Sequence, residues 1–223
     1  MKPSPELKAR VLAAAARETS PDRRAVSGRV MRASVGAAAV CSTLFLTMGG
    51  VRAVERPIAF VLGTAAGWVG IATCATWASA RRGKMVGRSL VLFLSAVVTP
   101  IALGIWYLAW VNGWGHGFGA PAPPSRAFVC LTLSLVLAVG PFAVLTLGRW
   151  ATDPVHPRVA AAAIGVTAGA WAGVMMDLHC EHADLFHVMV GHVTPALVLA
   201  VVGALLGEQL LGVRAEPEEA ETR

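Results

Sequence analysis

Six apolar stretches, each about as long as a bilayer is thick, constrain this chain more than any other feature of its sequence. They cover residues 33–51, 57–80, 89–111, 127–148, 159–178 and 187–207. A helix needs about 20 apolar residues to cross the hydrocarbon core, and every backbone polar group in lipid must be paired within the structure. Because these stretches are long and lack a period-two alternation, a transmembrane barrel is excluded. The sequence therefore predicts an all-α, polytopic membrane protein with six transmembrane helices.

The overall composition also points to a membrane protein. Of the 223 residues, 56% are hydrophobic and only 14% are charged, and the mean hydropathy is +0.63. These values exclude a soluble globule of ordinary composition. The 19 Lys and Arg residues are not gathered into a face interleaved with aromatic residues, so no direct binding of nucleic acid is expected.

The positions of Lys and Arg between the apolar stretches predict the orientation of the chain. Sixteen of them lie on the side that holds both termini, and 3 lie on the other side. By the positive-inside rule, both termini are predicted to be cytoplasmic. The chain then divides into a cytoplasmic N-terminal segment (1–32), a six-helix transmembrane domain (33–213) and an acidic cytoplasmic tail (214–223). The first stretch is read as an uncleaved anchor, because a segment of 32 residues with 8 Lys and Arg precedes it.

Small residues spaced four apart predict where the helices approach one another, since close backbone approach drives helix packing in lipid. They are Ala161, Gly165, Gly169 and Gly173 in the fifth stretch, Gly63 and Gly67 in the second, and Gly203 and Gly207 in the sixth. Packing within one chain is the preferred interpretation of these faces. A dimer would use the same faces, so the oligomeric state stays open.

The sequence carries no motif of a known enzyme class. A phosphate-binding loop with Lys, a His-Glu-x-x-His pair and a Gly-x-Ser-x-Gly elbow are all missing. Acidic residues are nearly absent from the apolar stretches, and Asp177 and Glu208 lie at stretch ends from which they can reach the interface. Neither catalysis nor proton-coupled transport is expected, and no cofactor is predicted.

Residues 177–187, on the predicted outer side, are rich in side chains that bind borderline or soft metals. The candidate ligands are His179, Cys180, His182 and His187. Their spacing matches no known zinc pattern, and His187 and His192, five residues apart, are expected to point to different sides of one helix. A polar loop that caps two helices would explain the same residues, so both interpretations remain open.

The four cysteines separate by depth. Cys41 and Cys74 lie inside apolar stretches and are interpreted as small hydrophobic residues. Cys130 lies one turn inside the outer end of the fourth stretch, and Cys180 lies in the last outer loop. These two form a candidate redox pair if their Cα atoms come within about 7 Å.

The N-terminal segment begins with Ser4, Pro5 and Glu6, which is a typical helix start. The helix that follows places Leu7, Val11 and Leu12 on one side, with Lys8 beside them. Such a helix can lie on the anionic inner leaflet or dock into a groove of a protein partner. Because the stripe is narrow and lacks aromatic residues, a protein partner is preferred.

Four short motifs carry a resemblance to a known family: SPELKARVL at 4–12, TDPVHPR at 152–158, DLHC at 177–180 and GHVTP at 191–195. Together they resemble the NrsF-type membrane anti-sigma factors, six-helix inner-membrane proteins that hold an extracytoplasmic-function (ECF) sigma factor in check. The resemblance implies a sigma factor as the partner, bound through the Leu7, Val11 and Leu12 face. It also implies Cys130 and Cys180 as the sensor pair.

The composition is further similar to that of myxobacterial members, including the CarR type, which restrains a sigma factor that drives light-induced carotenoid synthesis. The predicted function is a membrane-bound anti-sigma factor that releases its sigma factor on an external or membrane-borne stimulus, such as light or oxidative stress. One alternative is a small carrier or a metal- or haem-binding membrane protein that uses the outer histidines. Another is a structural subunit of a larger membrane complex.

Overall fold

The structure, a computed structural model, describes residues 4–6, 9, 13, 23–52, 56–80, 102, 104–106, 108, 123–150, 156–182 and 184–212. The helices are α1 (Arg23–Thr47), α2 (Ile58–Ala80), α3 (Pro124–Gly148), α4 (Pro157–His179), α5 (Leu185–Val188) and α6 (Thr194–Leu211). A π-helical segment, Met189–Val193, joins α5 to α6. No strand occurs among the described residues, and the predicted all-α class is confirmed.

Five stretches are long and apolar enough to cross a membrane: Gly28–Thr47, Ile58–Trp77, Pro124–Gly148, Pro157–His179 and Leu185–Leu211. They correspond to the first, second, fourth, fifth and sixth predicted helices. Of the predicted third helix, 89–111, the structure describes residues 102, 104–106 and 108, all of them helical. The sixth crossing and the cytoplasmic location of the termini therefore stay predictions.

Local sequence explains where several helices begin and end. α3 and α4 each start on a proline, whose missing N–H costs nothing in the first turn of a helix. α1 ends in a turn in which Gly49 and Gly50 have φ angles of 100° and 65°. Only glycine adopts this left-handed region without strain, which is why the chain turns there.

Helix α4 is the centre of the bundle. Within the bundle 78% of its span is buried, against 28% to 44% for the other four spans. Its small residues allow this, because a Cβ on Gly165 would overlap the Leu199 backbone of α6 and a Cβ on Gly169 would overlap that of Ala196. On the α6 side, Gly203 faces the Ala161 backbone in the same way. The predicted contact faces of the fifth and sixth stretches are confirmed.

A second face of α4 packs against α2. Trp68, Ile71, Ala72 and Ala75 of α2 form a buried core with residues of α4 that include Val166, Ala170 and Val174. Gly173 lies directly under Trp68, since a Cβ there would be 2.8 Å from the indole ring. Helix α4 thus packs against α2 on one face and against α6 on another.

Candidate metal and thiol site

The end of the bundle at which α4 finishes and α3 begins is called here the cysteine end. Local hydrogen bonds hold the chain ends that meet there. The Cys180 N–H donates to the Met176 carbonyl at 2.7 Å and so closes α4. The Asp184 carboxylate accepts the His187 N–H at 2.9 Å and so caps α5. These two caps fix both ends of the short link between α4 and α5, and so limit where its side chains can lie.

Cys130 of α3 and Cys180 meet at this end. Their sulfur atoms are 3.8 Å apart, and both are free thiols. A disulfide would need a separation of about 2.05 Å, so the two sulfurs are in contact without being bonded. Gly191 makes the approach of α3 feasible, because a Cβ there would lie 2.9 Å from the Cβ of Cys130.

The expectation that His187 and His192 point to different sides of one helix is wrong. Met189–Val193 is a π-helix, in which the Thr194 N–H bonds to the Met189 carbonyl five residues earlier. This wider turn places residues five apart on one face, and the two imidazole centroids are 5.5 Å apart. Both histidines are fully buried, with exposed fractions of 1% and 0%.

Pro195 explains why the regular helix is interrupted at this point. Proline has no N–H, so the Gly191 carbonyl loses the partner that it would have in an α-helix. The Ser134 hydroxyl of α3 donates to that carbonyl at 2.8 Å, and the Thr194 hydroxyl donates to the Met189 carbonyl at 2.9 Å. The irregular backbone is therefore satisfied by side chains, as apolar surroundings require.

The two thiols and the two buried imidazoles form one cluster. One donor atom from each of Cys130, Cys180, His187 and His192 lies within 4.8 Å of the others. His187 Nε2 is 3.2 Å from the Cys180 sulfur, and His192 Nε2 is buried with no hydrogen-bond partner among the described residues. Four such donors around zinc, at metal distances of 2.0–2.3 Å, are about 3.3–3.8 Å apart in a tetrahedron. A small contraction of the cluster would give that geometry.

Asp177 lies behind the cluster, at the end of α4. Its Oδ1 is 2.5 Å from His192 Nδ1, and its Oδ2 accepts the Trp68 indole N–H at 2.6 Å. Its backbone carbonyl accepts a hydrogen bond from the Arg56 guanidinium. The expectation that Asp177 reaches the interface is wrong, because the residue is 1% exposed and its carboxylate is bonded on both sides within the bundle.

Hydrogen bonding also changes the chemistry of Cys180, which lies between the spans. The contact with the Cys130 thiol, followed by that with His187, lowers the pKa of the Cys180 thiol, although burial opposes the shift. A thiolate is the form of cysteine that ligates metals and reacts with oxidants. A cleft of about 170 Å³, lined by Arg52, Arg126 and both cysteines among others, leads to this sulfur.

The structure brings together some of the predicted site residues and not others. Of the predicted metal ligands, Cys180 and His187 lie in the cluster, whereas His179 and His182 do not. His179 Nδ1 is 2.8 Å from the Gly50 carbonyl at the end of α1. The His182 side chain is 27% exposed, and its ring centroid is 5.3 Å from that of His187. Metal binding itself stays a prediction.

The predicted partner-binding residues lie outside the described residues. They are Leu7, Lys8, Val11 and Leu12. Residues 5, 6, 9 and 13, which the structure does describe, are helical, as expected for a helix that starts near Ser4. The face that this helix presents stays a prediction.

The sequence analysis did not identify His192 as a candidate ligand, Asp177 as its hydrogen-bond partner, or Trp68 as the donor to Asp177. A usable signal was present, since a proline three residues after a histidine inside an apolar stretch favours a break in the regular hydrogen bonding. The contact between Asp177 and Trp68 has no such signal, because 109 residues separate them in the chain.

Comparison with known proteins identifies a family. A family model described as NrsF, negative regulator of sigma F, matches residues 12–212. A probable anti-sigma-F factor NrsF of Azospira oryzae is 34% identical over 82 residues, which cover 37% of this chain and 38% of that relative. The matched segment thus spans well under half of the relative's length. No solved structure shows significant similarity.

Proposed function

This chain belongs to the NrsF family of negative regulators of sigma F, and from that membership we propose that it is a membrane-bound anti-sigma factor for an ECF-type sigma factor. Five helices long and apolar enough to cross a bilayer support residence in the bacterial inner membrane. The distribution of Lys and Arg supports a cytoplasmic location of both termini. The cytoplasm is the compartment in which a sigma factor works. No catalytic step is part of this proposal.

The sigma factor is held by the N-terminal segment. Leu7, Val11 and Leu12 supply a narrow apolar face with Lys8 beside it, which is the kind of face that an amphipathic helix lays into a groove of its partner. A segment this short has no core of its own, so its binding competence depends on how the bundle presents it.

The stimulus is proposed to be a borderline or soft metal ion captured at the cysteine end. The observation that carries this proposal is the cluster of Cys130, Cys180, His187 and His192, whose donor atoms lie within 4.8 Å of one another. Two thiolates and two imidazoles suit zinc and its softer neighbours. With both termini cytoplasmic, the cysteine end faces the extracytoplasmic side, where such ions enter.

Capture would act by contraction of the cluster. Cys130 belongs to α3, His192 to the π segment and Cys180 to the link after α4, so an ion that draws the donors to tetrahedral distances pulls three parts of the bundle together. A change from nearly full retention of the sigma factor to nearly full release requires about 5.5 kcal/mol of differential binding. Structural zinc sites supply about 10–16 kcal/mol in total, so about a third to a half of that would have to differ between the retaining and the releasing state.

A second stimulus is supported by the 3.8 Å separation of the Cys130 and Cys180 sulfurs. A peroxide oxidant would take two electrons and two protons from the thiols, leaving one disulfide and, from hydrogen peroxide, two waters. Closure to about 2.05 Å would draw α3 toward the loop after α4, as metal capture does. The link to light and carotenoid synthesis is supported by the resemblance alone, so illumination is tested as a third stimulus.

The test uses tagged full-length protein purified in mild detergent from a native host, with bound proteins identified by mass spectrometry. A sigma factor is expected with the wild type, and loss of it is expected when Leu7, Val11 and Leu12 are all changed to Glu. Wild-type protein that recovers no sigma factor would overturn the anti-sigma proposal.

The stimulus is then tested on the same immobilised complex. Zn²⁺, hydrogen peroxide and illumination are applied separately, and released sigma factor is measured. Zn²⁺ is expected to release it from the wild type and from Cys41→Ser, but not from Cys180→Ser. Cys41 is the matched control because it is equally buried in α1, away from the cluster. Release by peroxide alone would favour the disulfide, and release from Cys180→Ser would contradict both.

A further inference from the structure

We propose that Asp177 is the positioning residue of the metal site, which fixes the His192 tautomer that ligates and, through Trp68, links occupancy of the site to helix α2. This inference rests on the proposed metal capture and adds to it a second group of residues that touch no metal. It follows from three contacts of one buried residue, two made by the Asp177 carboxylate and one by its backbone carbonyl.

The first contact sets the chemistry of His192. A carboxylate can only accept, so the 2.5 Å contact with Asp177 places a proton on Nδ1 of the imidazole. In the neutral ring the Nε2 atom then carries the lone pair. That atom is buried, has no hydrogen-bond partner among the described residues and belongs to the donor cluster. Carboxylate–histidine pairs of this kind orient ligands and raise their basicity in metal sites.

The second contact extends to α2. Oδ2 of Asp177 accepts the Trp68 indole N–H at 2.6 Å, so the same carboxyl group is bonded to the π segment on one side and to α2 on the other. The Trp68 ring has no room to move independently of α2, since it is 2% exposed and lies on Gly173. A displacement of His192 by an ion therefore reaches α2 through two hydrogen bonds.

The third contact anchors Asp177 itself. Its backbone carbonyl accepts the Arg56 guanidinium, which lies just before α2 and whose centre is 5.9 Å from the Phe60 ring centroid. The backbone of Asp177 is thus tied to the segment just before α2, and its side chain is tied to Trp68 near the middle of that helix. The opposite end of α2, at Ala80, leads into the loop 81–88, which is predicted to be cytoplasmic. α2 is in this way a direct mechanical connection between the metal site and the side of the membrane on which the sigma factor is held.

Two substitutions separate the two roles. In Asp177→Asn the side chain has one oxygen and one NH₂ group, so it can accept from His192 or from Trp68 but not from both. In Trp68→Phe a smaller aromatic ring replaces the indole and the N–H is lost, which leaves the bond between Asp177 and His192 in place. Glu181→Gln is the control, because Glu181 is a neighbouring carboxylate whose side chain is 69% exposed.

The experiment titrates the full-length protein in detergent with Co²⁺, followed by competition with Zn²⁺. Wild type is expected to give the intense d–d absorption of a tetrahedral thiolate site. Asp177→Asn is expected to bind about 10–100-fold more weakly, with altered bands, as is typical of lost outer-shell partners. Trp68→Phe and Glu181→Gln are expected to stay within about three-fold of the wild type, well short of that loss.

Release of the sigma factor by Zn²⁺ then tests the link to α2. Trp68→Phe is expected to bind Zn²⁺ and yet lose most of the metal-dependent release, while Glu181→Gln releases as the wild type does. Normal release from Trp68→Phe would overturn the link. Equal Co²⁺ affinity of the wild type and Asp177→Asn would overturn the positioning role while leaving metal capture intact. A wild type that binds no Co²⁺ would instead overturn the proposed metal capture, and this inference with it.

A second measurement does not depend on whether Asp177→Asn folds. Nitrogen-15 NMR of histidine-labelled wild type, with His192 assigned by comparison with His192→Gln, reads the tautomer directly. The expected spectrum has a protonated Nδ1 and a bare Nε2 at His192 in the metal-free protein. A protonated Nε2 with a bare Nδ1 would exclude Asp177 as the group that sets the tautomer.

Discussion

Helices α4 and α6 pack along their whole length and carry polar groups at both ends, but the two ends differ in how these groups are held. At the end opposite the cysteines, Arg158 and Glu208 form an ion pair at 3.0 Å with side chains 67% and 61% exposed. At the cysteine end, Asp177 and His192 are in contact at 2.5 Å and are almost completely buried. The pairs are similar in chemistry and opposite in environment.

This difference indicates which end has a function beyond holding the helices together. An exposed ion pair gains little, because water and salt screen it. A buried aspartate and two buried histidines are costly to maintain in apolar surroundings, so their persistence requires compensation by partners or by a ligand. Two imidazole nitrogens at the cysteine end, His187 Nδ1 and His192 Nε2, have no hydrogen-bond partner among the described residues. We therefore place the site at that end.

The largest expected effect separates buried from exposed histidines within the cysteine end. His192→Ala removes a donor and should weaken Zn²⁺ binding more than about 100-fold, beyond the 10–100-fold typical of lost outer-shell partners. His182→Ala, which removes a part-exposed ring outside the donor set, should change it less than about three-fold, below that outer-shell range. Competition with a chromophoric chelator measures both affinities.

Equal Zn²⁺ affinities of His192→Ala and His182→Ala would contradict this prediction. They would mean that burial of a side chain and closeness of its donor atom to the others do not define the ligands. The circular dichroism spectrum and the thermal midpoint of each variant serve as the control for folding. Both variants are expected to keep wild-type helicity in the absence of metal.

The next effect concerns the helix interface that the two ends share. In Gly169→Ala the new Cβ would lie 2.7 Å from the Ala196 Cβ, so α4 and α6 must separate, and we expect a loss of about 1–3 kcal/mol in the free energy of unfolding. Gly70→Ala is the control, because a Cβ there has no neighbour within 4 Å. Thermal unfolding in detergent compares the two variants. Equal midpoints would show that the interface between α4 and α6 accommodates the added methyl group without loss of stability.

A smaller effect is expected at Ser134, which supports the π segment beside the site. Ser134→Ala leaves the Gly191 carbonyl without its donor, at a cost of about 0.6–1.7 kcal/mol for a hydrogen bond between helices in a membrane protein. Ser34→Ala removes only a bond to the Val30 carbonyl within α1 and should cost less. Hydrogen exchange of the 189–194 amides would sharpen the comparison by showing whether the π segment loosens.

The smallest effect is expected at the end opposite the cysteines. Arg158→Ala removes the exposed ion pair with Glu208 and should change the free energy of unfolding by less than about 1 kcal/mol, decreasing further in high salt. Denaturation at two salt concentrations measures it. A loss as large as that of Gly169→Ala would contradict the view that this end is only a surface.

Much of the fold could be predicted from local sequence, and the helix bounds show how closely. The stretch 57–80 became α2 at Ile58–Ala80, and 159–178 became α4 at Pro157–His179, because length and apolarity in lipid leave helix as the stable choice. The contact faces of α4 and α6 followed from small residues four apart. The candidate site was harder to predict, because Cys180 and His187 lie in one short segment of the chain, whereas their neighbours in space come from α3 and the π segment.

By itself, the sequence determined the helical class, the approximate spans, the glycine faces and the family, because each depends on residue type and spacing along a single segment. Only the tertiary structure decided that His192 joins His187, that Asp177 lies inside the bundle, and that Cys130 faces Cys180. A π turn changes the helical period over only a few residues, and Asp177 contacts Trp68 across 109 positions of the chain. The π turn depends on Pro195 together with the Ser134 hydroxyl of α3, and the contact of Asp177 with Trp68 depends on packing between helices; local periodicity encodes neither.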